Sequence, residues 1–193
     1  MNKALFIVDM QGDFAHKSGT LFCPECIQVI PNIVKLIKDG GYRVILVSKD
    51  WHPEDHCSFE QWPKHCVHDT PGAEIVREID EALLDTPHRV VIVEVRKGFS
   101  SMQEAYSAFK GNVDVKDICA KFDIESLDIC GVAMEYCVKA TALDALELLC
   151  SDNPDFTVTL RCNSIAAVDG GRNSKLISEF MDEFEQKGGK TDS

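Results

Sequence analysis

The chain has 193 residues, 45% of them hydrophobic and 27% charged, which suits a single domain spanning 1–193 with a full core. Its formal net charge of −12 argues against nucleic acid or an anionic membrane as a partner, because phosphates would be repelled, and it says little about small ligands. The opening MNKALFIVDMQGDF has too short an apolar run for a secretory signal and contains Asp9, and no segment reaches transmembrane length.

Five apolar, β-rich runs come in chain order: ALFIVD (4–9), RVILVS (43–48), RVVIVE (89–94), SLDICGV (126–132) and FTVTLRC (156–162). Most are continuous rather than alternating, as expected of strands buried on both faces of a parallel sheet. Helical patterns lie between and after them, at 27–41, 73–84, 114–123, 135–150 and 170–187. The first ends in the pair Gly40–Gly41, a helix stop; the fourth has no Gly or Pro. The alternation predicts an α/β fold, a three-layer α/β/α sandwich with a mainly parallel sheet and right-handed crossovers. The nine cysteines are odd in number and, without an export signal, read as reduced thiols of a cytoplasmic protein. The tail QKGGKTDS (186–193) reads as a frayed end.

Ligands of such sheets bind off the carboxyl ends of the strands. There the sequence offers Asp9 after the first run, Asp50 and His52 after the second, Lys97 after the third and Cys137 after the fourth.

The loop KDWHPEDHCSFEQWPKHCVHDTPGAE (49–74) holds four of the six histidines. Asp50, His52 and His56 are spaced D-x-H-x-x-x-H, and His65 follows nine residues on. Imidazole and carboxylate suit one divalent ion, zinc first, with iron or manganese as alternatives, bound in a loop of about 50–72. His68, Cys57 and Cys66 are competing ligands by type, and a solvated polar loop is the structural alternative.

Cys137 lies at the first turn of the fourth helix, where the helix dipole lowers a thiol's pKa and free N–H groups can hold an oxyanion. The plainer reading is a cysteine buried as a small hydrophobe. Asp9 ends an apolar strand, a costly place for a carboxylate that is neither paired nor functional. Lys97 follows a buried strand and is placed to neutralise a carboxylate and a thiolate, whereas its neighbour Arg96 reads as snorkelling to solvent. CPEC (23–26) is a C-x-x-C without a partner pair, and reads as structural.

Together these segments resemble the nicotinamidase/pyrazinamidase branch of the isochorismatase-like cysteine hydrolases. IVDMQGDF, KDWHPEDHCSF, WPKHCVHDTPGAE, RKGFSSMQEAYSAF and GVAMEYCVKATALDA match its motifs in order over nearly the whole chain. The resemblance implies that Cys137 is the nucleophile, Asp9 the general base and Lys97 the third catalytic member. It implies that Asp50, His52, His56 and His65 hold the metal. The amides of Ala133 and Cys137 would form the oxyanion hole, with a cis Val132–Ala133 peptide. Phe14 and Trp62 match aromatics that sandwich a pyridine ring, and Tyr106 matches a pocket tyrosine. The implied reaction turns nicotinamide, and pyrazinamide, into the acid and ammonia through a Cys thioester, toward NAD salvage. Two departures stand out: Gly12 replaces the usual Asn, and Met134 the usual Thr. Two alternatives remain at this point: a cysteine hydrolase of another small amide, and a hydrolase using metal-bound water with Cys137 structural. The sequence leaves monomer and homo-oligomer open.

Overall fold

The computed structural model of the chain describes residues 2–168 and 175–192. Six strands are described: β1 (Asn2–Val8), β2 (Val44–Asp50), β3 (Val91–Lys97), β4 (Ile124–Gly131), β5 (Thr157–Ile165) and β6 (Lys190–Asp192). They form one sheet in the order β3-β2-β1-β4-β5-β6, and every pairing is parallel. The five apolar runs are thus strands. β1 and β2 are almost wholly buried, which is why they read as unbroken apolar runs. β3 lies at an edge, and its outward side chains include the 43% exposed Ile92.

From β1 the chain steps outward to β2 and β3, then returns past β1 and steps to β4, β5 and β6. Right-handed crossovers therefore put α2 (Pro24–Asp39) and α3 (Arg77–Leu84) on one face. α4 (Val115–Lys121), α5 (Lys139–Ala145) and α6 (Lys175–Gln186) lie on the other. α1 (Gly12–Ala15) is a single turn after β1. The order reverses between β1 and β4, and that crevice is the topological switch point, where open parallel sheets bind ligands.

Two boundaries differ from expectation. α2 starts at Pro24 rather than residue 27, because proline fits the first helical position, where its missing N–H costs nothing. The tail is not frayed: Lys190, Thr191 and Asp192 pair with Thr159, Leu160 and Arg161, and Asp192 accepts from Arg161 Nη1 at 3.0 Å and from Cys162 N at 2.7 Å. Three polar residues carry no apolar signal, so only the sheet edge they meet reveals the strand. Residues 170–174 of the expected last helix lie outside the described residues.

Candidate active site

At the switch point, Asp50 and Lys97 are the last residues of β2 and β3, which pair residue to residue there. Asp9 follows β1 directly, in the left-handed region at φ 49°. Its amide reaches Ser48 O at 3.2 Å, and Ser48 Oγ donates to Asp9 Oδ1 at 2.7 Å. Cys137 arrives from β4 on a helix over 134–150 whose first segment, Met134–Val138, is wound as a π-helix, a form enriched at functional sites.

Three side chains, those of Asp9, Asp50 and Cys137, converge on the Lys97 ammonium. Lys97 Nζ lies 2.9 Å from Asp9 Oδ2 and 3.3 Å from Cys137 Sγ, and it donates to Asp50 Oδ1. Asp9 Oδ2 has this ion pair but no directed hydrogen bond from it. Lys97 and Asp9 are completely buried, and Asp50 and Cys137 nearly so. Burial would strip the Lys97 proton, but Asp50, Asp9 and Cys137 around it hold its pKa well above the usual value. Burial also pushes Asp50 upward, but Lys97 and His52 hold it below the usual carboxylate range. Asp9 is raised, by burial first and the Asp50 charge beside it, against the pull of Lys97. The Cys137 thiol is pushed well above its usual value by burial, which Lys97 only partly offsets and to which the Asp9 and Asp50 charges add. This corrects the expectation from the helix dipole: the resting sulfur is a thiol, and it needs a base.

The histidines gather on the other side of Asp50. Ligand atoms of Asp50, His52 and His65 all lie within 4.8 Å of one another. His52 Nδ1 faces Gly98 O at 2.9 Å and His65 Nδ1 faces Pro63 O at 2.8 Å. Carbonyls only accept, so each ring carries its proton on Nδ1 and leaves Nε2 as a lone-pair donor. His52 Nε2 lies 3.7 Å from Asp50 Oδ2. One carboxylate and two imidazoles oriented this way fit a divalent cation. Gly98, at φ 66°, is required here: a Cβ would lie 2.5 Å from the His52 ring.

His56 stands apart from that trio. Its ring stacks on His52 at 4.0 Å, but Nδ1 is 2.7 Å from Ser58 Oγ and Nε2 is 3.3 Å from Gln103 O. His68 is exposed and paired with Asp69, Cys66 is buried with its pKa raised by burial, and neither joins the trio. Arg96 snorkels as expected, bonding Glu94 at 2.6 Å and lying over Trp51.

Beside both clusters a cavity of about 100 Å³ is walled by Phe14, Trp62, Tyr106, Ala133, Cys137 and His65, among others. The expected aromatics Phe14, Trp62 and Tyr106 are thus brought together. The Val132–Ala133 peptide is cis, as the resemblance implied.

A model of the isochorismatase domain matches residues 3–148. The chain belongs to the isochorismatase family. It is 34% identical over 181 residues to the nicotinamidase of Saccharomyces cerevisiae, covering 76% of this chain and 82% of the yeast protein. It superposes on the pyrazinamidase of Pyrococcus horikoshii in complex with zinc with a TM-score of 0.80 at 36% identity, over 100% and 99% of the two chains. A second neighbour is PnC1 from L. infantum in complex with nicotinate, at TM-score 0.84 and 28% identity, over 100% and 92%.

Several residues of this isochorismatase-family site escaped sequence reading. Gln11 is completely buried and clamps the Asp50 backbone: Nε2 donates to Asp50 O and to Ala73 O, and Oε1 accepts from Asp50 N, all at 2.8 Å. A glutamine two residues past Asp9, at the carboxyl end of the apolar first strand, was the available signal. Tyr136 packs edge-on to Trp62 at 5.5 Å and adds a fourth aromatic wall. Leu21, Glu104 and Val168 also line the cavity, with no local pattern to mark them, as does Cys23 of the CPEC segment. The two departures find physical settings. Gly12 sits under the 71–73 turn, where a Cβ would lie 2.8 Å from Pro71 O, so a side chain there needs that turn to move. Met134 is buried, with its amide on Ala166 O at 2.9 Å.

Proposed function

We propose that the protein is an amidohydrolase that converts nicotinamide to nicotinate and ammonia, and pyrazinamide likewise. The observation that carries this reading is the fully buried Lys97 ammonium holding Asp9 and Cys137 together in the wall of an aromatic cavity. The names of the yeast and Pyrococcus relatives supply the substrate class.

Asp9 takes the proton from Cys137 Sγ as the sulfur attacks the carboxamide carbon. The protonated Asp9 then gives that proton to the departing nitrogen, and ammonia leaves. Asp9 next takes a proton from water, which attacks the thioester; the C–S bond breaks, Asp9 returns that proton to the Cys137 sulfur, and the acid departs. Lys97 keeps Asp9 and Cys137 in register and balances the negative charge as it shifts between them. The amides of Ala133 and Cys137 serve as the oxyanion hole. Ala133 caps the helix and Cys137 lies in its first segment, where backbone N–H groups lack partners inside a helix. Phe14, Trp62 and Tyr106 hold the ring.

Asp50, His52 and His65 would hold one divalent ion, with zinc the first candidate and His56 the fourth ligand in the family pattern. Bound there, the ion offers an open position to a ring nitrogen. A single domain, a cytoplasmic setting and a place in NAD salvage complete the reading. No described helix is long and apolar enough to cross a membrane.

Ammonia release from nicotinamide, measured on protein treated with iodoacetamide or with a strong chelator, tests the reading. Release lost on alkylation supports the thiol route. Release that survives alkylation but not chelation moves the chemistry to metal-bound water.

A further inference from the structure

The CPEC segment has no part in the reaction described above. Cys23 caps α2, a helix of 16 residues, and Cys26 lies in its first turn with its amide on Cys23 O at 3.0 Å. Both are completely buried and both are free thiols. The two residues stand one turn apart at the start of the helix, Cys23 at the cap and Cys26 at the third helical position, and Cys23 Sγ donates to Ala167 O at 3.3 Å. Cys23 is also part of the wall of the cavity that holds Cys137. A small solute entering that cavity therefore comes up against the Cys23 residue as well as Cys137.

The geometry points to a redox-modification site: Cys23 and Cys26 form a dithiol that a hydroperoxide entering the cavity converts to a disulfide. The two thiols are differentiated as this chemistry needs. The Cys26 thiol and the backbone amides of Cys26 and Glu25 hold Cys23 below its usual value against burial, whereas hydrogen bonding to Cys23 and burial push Cys26 far up. Cys137, Cys66 and Cys130 are all pushed up by burial. Cys23, which caps the helix and lines the cavity, is the attacking sulfur, and Cys26, which does not line it, is the resolving one.

In the first step the Cys23 thiolate attacks one peroxide oxygen. The S–O bond forms, the O–O bond breaks, and the departing oxygen takes a proton and leaves as water or an alcohol. In the second, Cys26 gives up its proton and attacks the sulfenic sulfur, and hydroxide leaves with that proton as water. The dithiol loses two electrons and the peroxide gains them. Closure withdraws Cys23 Sγ from Ala167 O. Residue 167 is tied by its amide to Glu25 Oε2 at 3.0 Å and precedes the cavity residue Val168, so the change is delivered to the pocket wall.

The test exposes the reduced full-length protein to hydrogen peroxide, quenches it with N-ethylmaleimide under denaturing conditions and maps peptides without reductant. The expected product is a Cys23–Cys26 peptide two hydrogens lighter and unlabelled. It should form at least about tenfold faster than any oxidation at Cys137 and revert with dithiothreitol. In Cys26→Ser, dimedone should capture Cys23 as its sulfenic acid. The proposal is overturned if Cys23 and Cys26 both remain labelled once Cys137 has been oxidised, or if either is linked to a different cysteine. The readout is thiol chemistry and does not depend on which amide the protein cleaves.

Discussion

Lys97 Nζ lies 3.3 Å from Cys137 Sγ in a site that has no access to solvent at the lysine. An ammonium is buried at such a cost only when anions surround it. Here Asp9 and Asp50 do so at rest, and Cys137 joins them as its proton leaves.

Removing that cation should be severe. Lys97→Ala leaves two buried carboxylates facing each other without a countercharge. We expect a stability loss of about 3–5 kcal/mol in urea unfolding. Ammonia release should fall to background, and Lys97→Arg should not restore it, because a planar guanidinium cannot replace a point charge among three ligands.

The pH profile follows from Asp9. Its carboxyl titrates above its ordinary 3.8 because burial disfavours the charge. The base must be ionised, so kcat/KM should rise with pH through a limb lying above 3.8, at constant metal content. The group's contribution to stability runs the other way: it is complete below 3.8 and is lost as pH rises through the raised folded value. Asp9→Asn should abolish turnover and remove that stability slope. A limb at or below 3.8 would contradict the assignment.

The histidines should divide in metal retention. His52→Ala and His65→Ala each remove a member of the trio gathered within 4.8 Å, and should leave the purified protein without its ion. His56→Ala removes the fourth ligand of the proposed set, a ring also engaged by Ser58 and Gln103, and should weaken affinity less than either loss from the trio. Metal content after gel filtration and titration with a competing chelator measure both.

Gln11 should matter as a clamp rather than as a chemical group. Gln11→Leu strands the Asp50 amide and the Asp50 and Ala73 carbonyls in a buried setting. Each of the three unsatisfied groups costs about 1–3 kcal/mol, so unfolding should be easier by roughly 3 kcal/mol or more, with metal affinity falling because Asp50 loses its fixed position.

Much of this was legible because it is local. The strands announce themselves as apolar runs, since a parallel strand buried on both faces has no polar side to show. The candidate site residues were visible because polar residues sit at the carboxyl ends of the strands, as Asp9, Asp50 and Lys97 do. What was hidden is what only tertiary contact creates. β6 exists because an open edge meets a polar tail. The Cys137 pKa is set by burial from several elements, which overrides a helix dipole that can be read locally. The separation of His56 from the metal trio depends on where Gln103 folds back, and the sequence spacing does not contain it.

The most direct measurement is ammonia release from nicotinamide by Cys137→Ala beside the unsubstituted protein at equal metal content. The thiol mechanism predicts a loss of about four orders of magnitude or more, with fold and ion retained. Release within about tenfold of the unsubstituted protein would contradict it and leave Cys137 a structural residue.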